Sequence, residues 1–248
     1  MITALKAEFR KLFTIRTTYI FIGLALLFTI FFAFYIEGFR LTGAQLRDPN
    51  LLADDVTNAI GSLPTLFGAI IAILLITHEY RYNTIMYTLT SSNSRSRVLF
   101  AKLFAITVFA VVLTLAIGVL SPLMSYLGVH AHGHTLIHQS FDIGSLLWRG
   151  LFYGWGYITL ALILGALIRN QIGAIVSVFI IPTFEQVLSL LFKHNSVYLP
   201  FTSVNAVLAK PEPRLGVITY SHAALVFLVY LVIGWIVAWT LFLRRDAN

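Results

Sequence analysis

Four histidines in a short polar segment are the clearest candidates for metal chemistry in this sequence. They are His130, His132, His134 and His138, within the stretch HAHGHTLIH. Imidazole nitrogens bind zinc, copper or nickel, and Gly133 would let several rings converge on one ion. No glutamate stands between the last two as it does in a metalloprotease helix. We predict solvated histidines and no metal, with metal binding or pH sensing near about pH 6 as alternatives.

A carboxylate within an apolar run is the second candidate for chemistry. Glu185 and Gln186 follow Pro182 inside the apolar run 171–192. A charged group at membrane depth is costly and usually faces protein, water or a ligand. Glu185 and Gln186 therefore either line a pathway for a polar group or lie at the outer interface in contact with water. The same residues predict a broken or re-entrant end to this helix.

The familiar catalytic signatures are absent from the sequence. His78 and Glu79 are not followed by a second histidine at H-E-x-x-H spacing, and no G-x-S-x-G occurs. There is also no G-x-x-x-x-G-K-[ST], the loop that holds nucleotide phosphates. We therefore predict a non-catalytic chain that binds no cofactor itself.

The elements that must position these residues are membrane helices. Of 248 residues, 58% are hydrophobic and only 11% charged, and the mean hydropathy is +0.86, whereas soluble domains carry about 25% charged residues. The absence of cysteine excludes disulfides and thiolate metal sites. The net charge of +7 could suggest nucleic acid, but basic residues of a membrane protein more often mark its topology. No nucleic-acid partner is predicted.

Six apolar runs are long enough to cross a bilayer as helices. They are 17–36, 56–77, 98–124, 145–168, 171–192 and 222–243. At about 1.5 Å per residue, a run of roughly 20 residues covers the hydrocarbon core of about 30 Å. The first run is too long for a signal peptide and no cleavage motif follows it. The prediction is a single all-α membrane domain over residues 1–248.

The distribution of lysine and arginine predicts that both termini are cytoplasmic. Six crossings place 11 basic residues on the side of the termini and six on the other. Those on the side of the termini are Lys6, Arg10, Lys11, Arg16, Arg81, Arg95, Arg97, Lys102, Arg169, Arg244 and Arg245. Because basic residues concentrate in cytoplasmic loops, we expect a multi-pass protein of the cytoplasmic membrane.

Small residues inside the runs predict how the helices pack. Gly150 and Gly154 have the spacing that lets a neighbouring helix approach closely. That neighbour belongs either to the same chain or to a second subunit. In the second run, Gly61, Pro64 and Gly68 predict a bend.

Two segments outside the runs are suited to the membrane surface. Segment 1–16 places apolar residues on one side of a helix and basic residues on its flank. The apolar residues are Ile2, Leu5, Phe9, Leu12 and Phe13, and the basic ones are Lys6, Arg10, Lys11 and Arg16. The pattern fits an interfacial helix whose cations reach lipid phosphates, or a plain basic flank that sets topology. Segment 193–221 is expected to dip into the outer interface.

The polar and basic segment between the second and third runs reads HEYRYNTIMYTLTSSNSRSRVLFAKL. Its apolar side chains recur at helical spacing, at Tyr82, Ile85, Met86 and Leu89. The serine-rich stretch 91–94 then supplies a turn and a helix cap. Glu79 and Arg81 are two residues apart, so on a regular helix they face different partners.

This segment resembles the loop after the second span of ABC-2 type permeases, the membrane subunits of one class of ABC exporters. That loop reads loosely E-x-R-x-G-T-[LI], then a proline, a small polar residue and arginine, with a lysine in the next helix. The matching residues are Glu79, Arg81, Thr84, Ile85, Ser94, Arg95 and Lys102. Asn83 replaces the usual glycine and Ser92 the frequent proline. Asparagine tolerates the left-handed conformation, and serine supports a turn.

The resemblance implies that residues 81–90 form a coupling helix seated in a groove of a separate ATPase subunit, which would use Mg-ATP. The residues that it assigns to ATPase coupling are Glu79, Arg81, Asn83, Thr84, Tyr87, Thr88 and Arg95. It also implies a second permease subunit, identical or related.

The predicted function is that of a permease subunit of an ATP-driven exporter with a hydrophobic or amphipathic substrate, such as a peptide, lipid or drug-like molecule. One alternative is a membrane subunit of an ABC complex that acts in immunity or signalling. Another is an ion-coupled secondary transporter, which would need charged relays that these runs lack beyond Glu185.

Overall fold

The computed structural model describes residues 2–37, 45–82, 84, 95–139, 142–209 and 217–244. Within them lie six helical segments that are long and apolar enough to cross a membrane. The prediction of an all-α membrane protein with six membrane helices is therefore confirmed. Because the number of crossings is even, the start of the first crossing and the end of the sixth lie on the same side, which we name the terminal face. The other side is the opposite face.

Nine α-helices follow one another along the described chain. They are α1 (Ile2–Thr14), α2 (Arg16–Phe31), α3 (Leu51–Ile60), α4 (Leu63–Arg81), α5 (Arg95–Ala131), α6 (Ile143–Ile168), α7 (Gln171–Phe192), α8 (Pro200–Leu208) and α9 (Tyr220–Arg244). A π-helix, Phe32–Glu37, continues α2, and 3₁₀ turns occupy Gln45–Arg47 and Lys193–Tyr198. The third crossing runs further than predicted, to Ala131, with Pro122 inside the helix.

The second crossing is broken where a bend was predicted. Helix α3 ends at Ile60, Gly61 follows it, and Pro64 lies in the first turn of α4. Proline is favoured there because the first N–H groups of a helix have no partner within the helix. Gly68 has a different role: an added Cβ would lie 2.7 Å from side-chain carbons of Ile158 and Leu113. Its lack of a side chain therefore permits close helix packing.

The seventh helix corrects one prediction. We expected a break after Pro182, but α7 continues through this proline to Phe192. Proline removes only one donor, and membrane helices tolerate that loss.

The centre of the fold is the helix α4, which α5 and α6 flank. Ile73, Ile106 and Ile158, one from each of these helices, are fully buried. A Cβ on Gly150 would lie 2.8 Å from Ile60, and one on Gly154 would clash with Thr114. The glycine pattern of the fourth crossing therefore packs against helices of the same chain.

Candidate functional site

A buried cluster of charged side chains joins three helices at the terminal face. Its four members, the charge cluster, are Glu8 and Lys11 from α1, Glu79 from the last turn of α4, and Lys102 from α5. Charged groups are rarely buried unless they are paired and hydrogen-bonded. Their convergence therefore identifies a site where α1, the end of α4 and the first part of α5 meet.

Lys102 is the centre of the charge cluster. Its side chain is 0% exposed. The Nζ atom donates to Glu8 Oε2 at 2.8 Å, to Glu79 Oε1 at 2.8 Å and to the main-chain oxygen of Leu75 at 3.0 Å. An ammonium group has three donors. All three have acceptors, so the buried charge is fully satisfied.

Lys11 closes the charge cluster from the membrane-surface side. Its Nζ donates to Glu8 Oε1 at 2.9 Å and to Glu79 Oε1 at 2.5 Å. Burial by itself lowers the pKa of Lys11, but the attraction of Glu79 and then Glu8 outweighs it, so the pKa is raised. Lys11 therefore stays charged at neutral pH. The prediction that Lys11 reaches toward lipid phosphates is wrong, because the rotation of α1 turns it inward.

Glu8 is the member that sequence reasoning missed. It lies on the same side of α1 as Leu12 and Leu5, three or four positions away. Leu12 and Glu8 are both buried, whereas Lys6 and Arg10 are exposed. A carboxylate in the middle of the apolar side was the available signal, since such a group needs a cationic partner.

Glu79 and Arg81 have different partners, as their spacing indicated. Glu79 Oε1 accepts from both lysines of the charge cluster, and its Oε2 has no hydrogen-bond partner in the described part of the chain. Arg81 Nη1 donates to Gln171 Oε1 at 3.1 Å, which ties the end of α4 to the start of α7. The guanidinium also lies 5.6 Å from the ring centre of Tyr82.

The predicted coupling helix 81–90 falls mostly outside the described residues. Asn83, Tyr87 and Thr88 lie there, as does the side chain of Arg95, whose backbone begins α5. Thr84 is exposed, and its main-chain nitrogen donates to the main-chain oxygen of Glu79 at 3.0 Å. The coupling roles of these residues stay predictions.

Glu185 anchors a short helix at the opposite face. Its Oε1 accepts from the main-chain nitrogen of Phe201 at 3.0 Å, and its Oε2 accepts from that of Thr202 at 2.9 Å. A carboxylate at a helix N-terminus satisfies N–H groups that have no partner within the helix. Gln186 is exposed. The structure thus places Glu185 against α8, and a role in a pathway stays a prediction.

Arg149 from α6 holds the other end of α8. Its Nε donates to the main-chain oxygen of Val207 at 3.0 Å, and its Nη2 donates to that of Leu208. The guanidinium lies 4.0 Å from the ring centre of Tyr220. Cations are favourable at helix C-termini. Segment 193–221, predicted to dip into the interface, thus includes a helix fixed by opposite charges at its two ends.

The histidines of the opposite face do not converge in the described structure. His130 and His132 direct Nδ1 to the main-chain oxygens of Tyr126 and Gly128, at 3.0 and 2.7 Å. His134 and His138 are exposed in the segment that follows. No group of three or more histidine, aspartate or glutamate side chains within the described ranges is arranged to hold a metal ion.

The fold defines the class of protein. Six helical segments in the described part of the chain are long and apolar enough to cross a membrane, so the chain is a multi-pass membrane protein. Residues 4–187 match a family described as ABC-2 family transporter protein, and this match covers more than half of the chain. The chain therefore belongs to the ABC-2 transporter family, as its resemblance indicated, and is a permease subunit of an ABC transporter. No curated protein shows significant similarity to it.

Proposed function

We propose that this permease exports a hydrophobic or amphipathic substrate across the cytoplasmic membrane, driven by a separate ATPase subunit that hydrolyses Mg-ATP. The family implies an ABC ATPase partner in general. The observation that carries the proposal is the charge cluster, which joins the last turn of α4 to α5, the two helices that precede and follow the predicted coupling helix. A second permease subunit, identical or related, completes the membrane domain.

The charge cluster explains how a partner bound at residues 83–94 would move the membrane helices. Glu79 precedes this segment in the last turn of α4, Lys102 follows it about two turns into α5, and the two side chains contact each other at 2.8 Å. Removing one member of a buried ion pair costs about 3–5 kcal/mol. Because separation of these groups is that unfavourable, a force on the segment moves α4 and α5 together.

The N-terminal helix takes part in the same movement. Glu8 contacts Lys102 at 2.8 Å, so the same lysine of α5 that pairs with α4 also pairs with α1. A displacement of the segment would therefore move α1, α4 and α5 together. The ATPase shifts the conformational equilibrium only if it binds one of the two states more tightly.

Cysteine cross-linking tests the docking surface, since the chain contains no cysteine of its own. We would place single cysteines at Thr88, in the predicted coupling helix, and at Val217, which is 83% exposed near the opposite face. A photoreactive maleimide at Thr88→Cys should form an adduct with an ATPase subunit in native membranes, and the Val217→Cys control should not.

The outcomes separate the possible functions. A chain that gives no ATPase adduct from Thr88→Cys or Tyr87→Cys, and that purifies alone from native membranes, contradicts the proposal. An adduct in a complex that hydrolyses ATP without moving any substrate would assign the complex to immunity or signalling.

A further inference from the structure

The side of α1 that faces away from the charge cluster combines two cations with two aromatic rings. These four residues are Lys6, Phe9, Arg10 and Phe13. Their spacing, i, i+3, i+4 and i+7, places them on one side of the helix, which we name the outer side of α1. Glu8 and Leu12 are buried on the inner side. The charge cluster therefore accounts for the inner side of α1 and leaves the outer side for another partner.

The two cations of the outer side have no acidic partner within the described ranges. Lys6 and Arg10 are exposed, and neither takes part in an ion pair there. The one acidic residue of α1, Glu8, already pairs with Lys11 and Lys102 on the inner side. Two uncompensated positive charges therefore remain on the outer side, and they attract an anionic partner.

The aromatic rings restrict what that anionic partner can be. Phe13 is 49% exposed, and Phe9, one turn before it, is partly buried. Exposed apolar rings beside cations suit a partner that has both hydrocarbon and negative charge. At a membrane surface, a helix of this kind places phenylalanine toward acyl chains and lysine or arginine toward head groups. An anionic phospholipid has both properties in one molecule.

The position of α1 places its outer side where such lipids are. The first crossing begins at Arg16, two residues after the end of α1 at Thr14. The middle of α1 is held at the same level, because Lys11 contacts Glu79 in the last turn of α4 at 2.5 Å. The second half of α1 therefore lies at the membrane boundary of the terminal face, where head groups meet the hydrocarbon core.

We infer that the outer side of α1 is a binding surface for anionic phospholipid. Phosphate groups pair with Lys6 and Arg10, and acyl chains contact Phe13. The sequence alone left a choice between lipid contact and a plain basic flank for all the cations of segment 1–16. The rotation of α1 assigns lipid contact to these two cations and the charge cluster to Lys11. Lipid binding here requires neither the ATPase nor a substrate, so its failure would leave the proposed function intact.

Photolabelling of the full chain in nanodiscs tests this surface. The probes are phosphatidylglycerol, which is anionic, and phosphatidylcholine, which has no net charge, each with a diazirine at the same acyl carbon near the head group. Each probe is a minor component of phosphatidylcholine nanodiscs, and adducts within Ile2–Thr14 are quantified by mass spectrometry. One basic residue near an anionic lipid surface contributes about 1 kcal/mol, which is about fivefold in binding. We therefore expect phosphatidylglycerol to label α1 about 5- to 25-fold more than phosphatidylcholine, and equal labelling would overturn the inference.

Substitutions at the two cations separate charge from other effects. Lys6→Gln and Arg10→Gln should each lower the preference about fivefold, whereas Arg10→Lys keeps the charge and should retain the preference. Lys193→Gln removes the same charge from an exposed residue at the opposite face, and this matched control should change nothing. Both glutamine variants should keep the Tm of the unaltered chain in detergent, because the substituted residues are exposed. A double glutamine variant that retains the full preference would refute the assignment to these residues.

Two further measurements distinguish lipid from a protein partner. In 1 M salt the Debye length is about 3 Å instead of about 10 Å at 0.1 M, so the preference should largely disappear. A preference that salt does not change would contradict pairing with phosphate. If the double glutamine variant is labelled like the unaltered chain but loses the ATPase subunit during purification from native membranes, the outer side binds that subunit and the assignment to lipid is wrong.

Discussion

Replacement of Lys102 by methionine is the sharpest test of the charge cluster. Methionine has a similar length and no charge, so it keeps most of the packing and removes three hydrogen bonds. Glu8 and Glu79 are then left with Lys11 as the one cation of the cluster. Loss of one partner from a buried ion pair costs about 3–5 kcal/mol.

The expected effect is large enough to measure by heating. For a chain of this size, 1 kcal/mol shifts Tm by about 2–4 °C, so Lys102→Met should lower it by roughly 6–20 °C. The assay is the fraction of detergent-solubilised protein that remains monodisperse after heating. Lys6→Met is the matched control, since Lys6 is exposed on α1 and surface changes are usually within about 0.5 kcal/mol.

A double variant separates the charge argument from simple loss of packing. Lys102→Met combined with Glu79→Gln removes one charge of each sign and leaves Glu8 with Lys11. The stability effects of substitutions at residues in contact do not simply add. The double variant should therefore be more stable than Lys102→Met alone. A Tm of Lys102→Met within about 2 °C of the unaltered chain would refute the reasoning. So would a double variant whose loss equals the sum of the two single losses.

Other predictions address packing and the opposite face. Gly68→Leu should destabilise the chain by about 1–3 kcal/mol through overpacking against Ile158 and Leu113. Gly23→Ala adds a Cβ with no atom within 4 Å, so it should be neutral or stabilise the chain by up to about 1 kcal/mol. Thermal scans of both variants check this, and equal losses of stability would contradict it. Glu185→Ala should lower the free energy of unfolding by about 0.5–2 kcal/mol, because it removes the cap of α8. Glu185→Gln should lower it less, because its side chain still has an acceptor. Faster proteolysis within Lys193–Leu208 in the alanine variant alone is the expected result. Arg149→Met should increase proteolysis near Leu208 for the same reason, since two main-chain oxygens lose their donor, and unchanged cleavage would show that the guanidinium is dispensable there.

The sequence predicts the membrane helices well because each depends on local composition alone. An apolar run of about 20 residues crosses the bilayer whatever its neighbours are, and the pattern of Gly61 and Pro64 marks a break in the same local way. The bounds 171–192 agree with α7, but the expected break after Pro182 is absent, because a proline and a carboxylate also suit a continuous helix whose carboxylate caps α8.

The charge cluster could be predicted only in part, since its contacts cross long stretches of sequence. Lys102 is 94 residues from Glu8 and 23 from Glu79, and helical periodicity says nothing about such pairs. For Lys11, the choice between lipid phosphate and Glu79 depends on how α1 is rotated against α5. That rotation is set by packing of residues such as Leu12, which is a tertiary effect.

The composition of the charge cluster has an electrical consequence. Two lysines and two glutamates sum to zero charge, and they are held together by contacts of 2.5 to 2.9 Å. Moving a single elementary charge through the whole membrane potential involves about 2.3 kcal/mol per 100 mV. A set of charges that sums to zero and is displaced as one body does no such work. Displacement of the charge cluster as one body is therefore expected to proceed at the same rate in polarised and depolarised membranes.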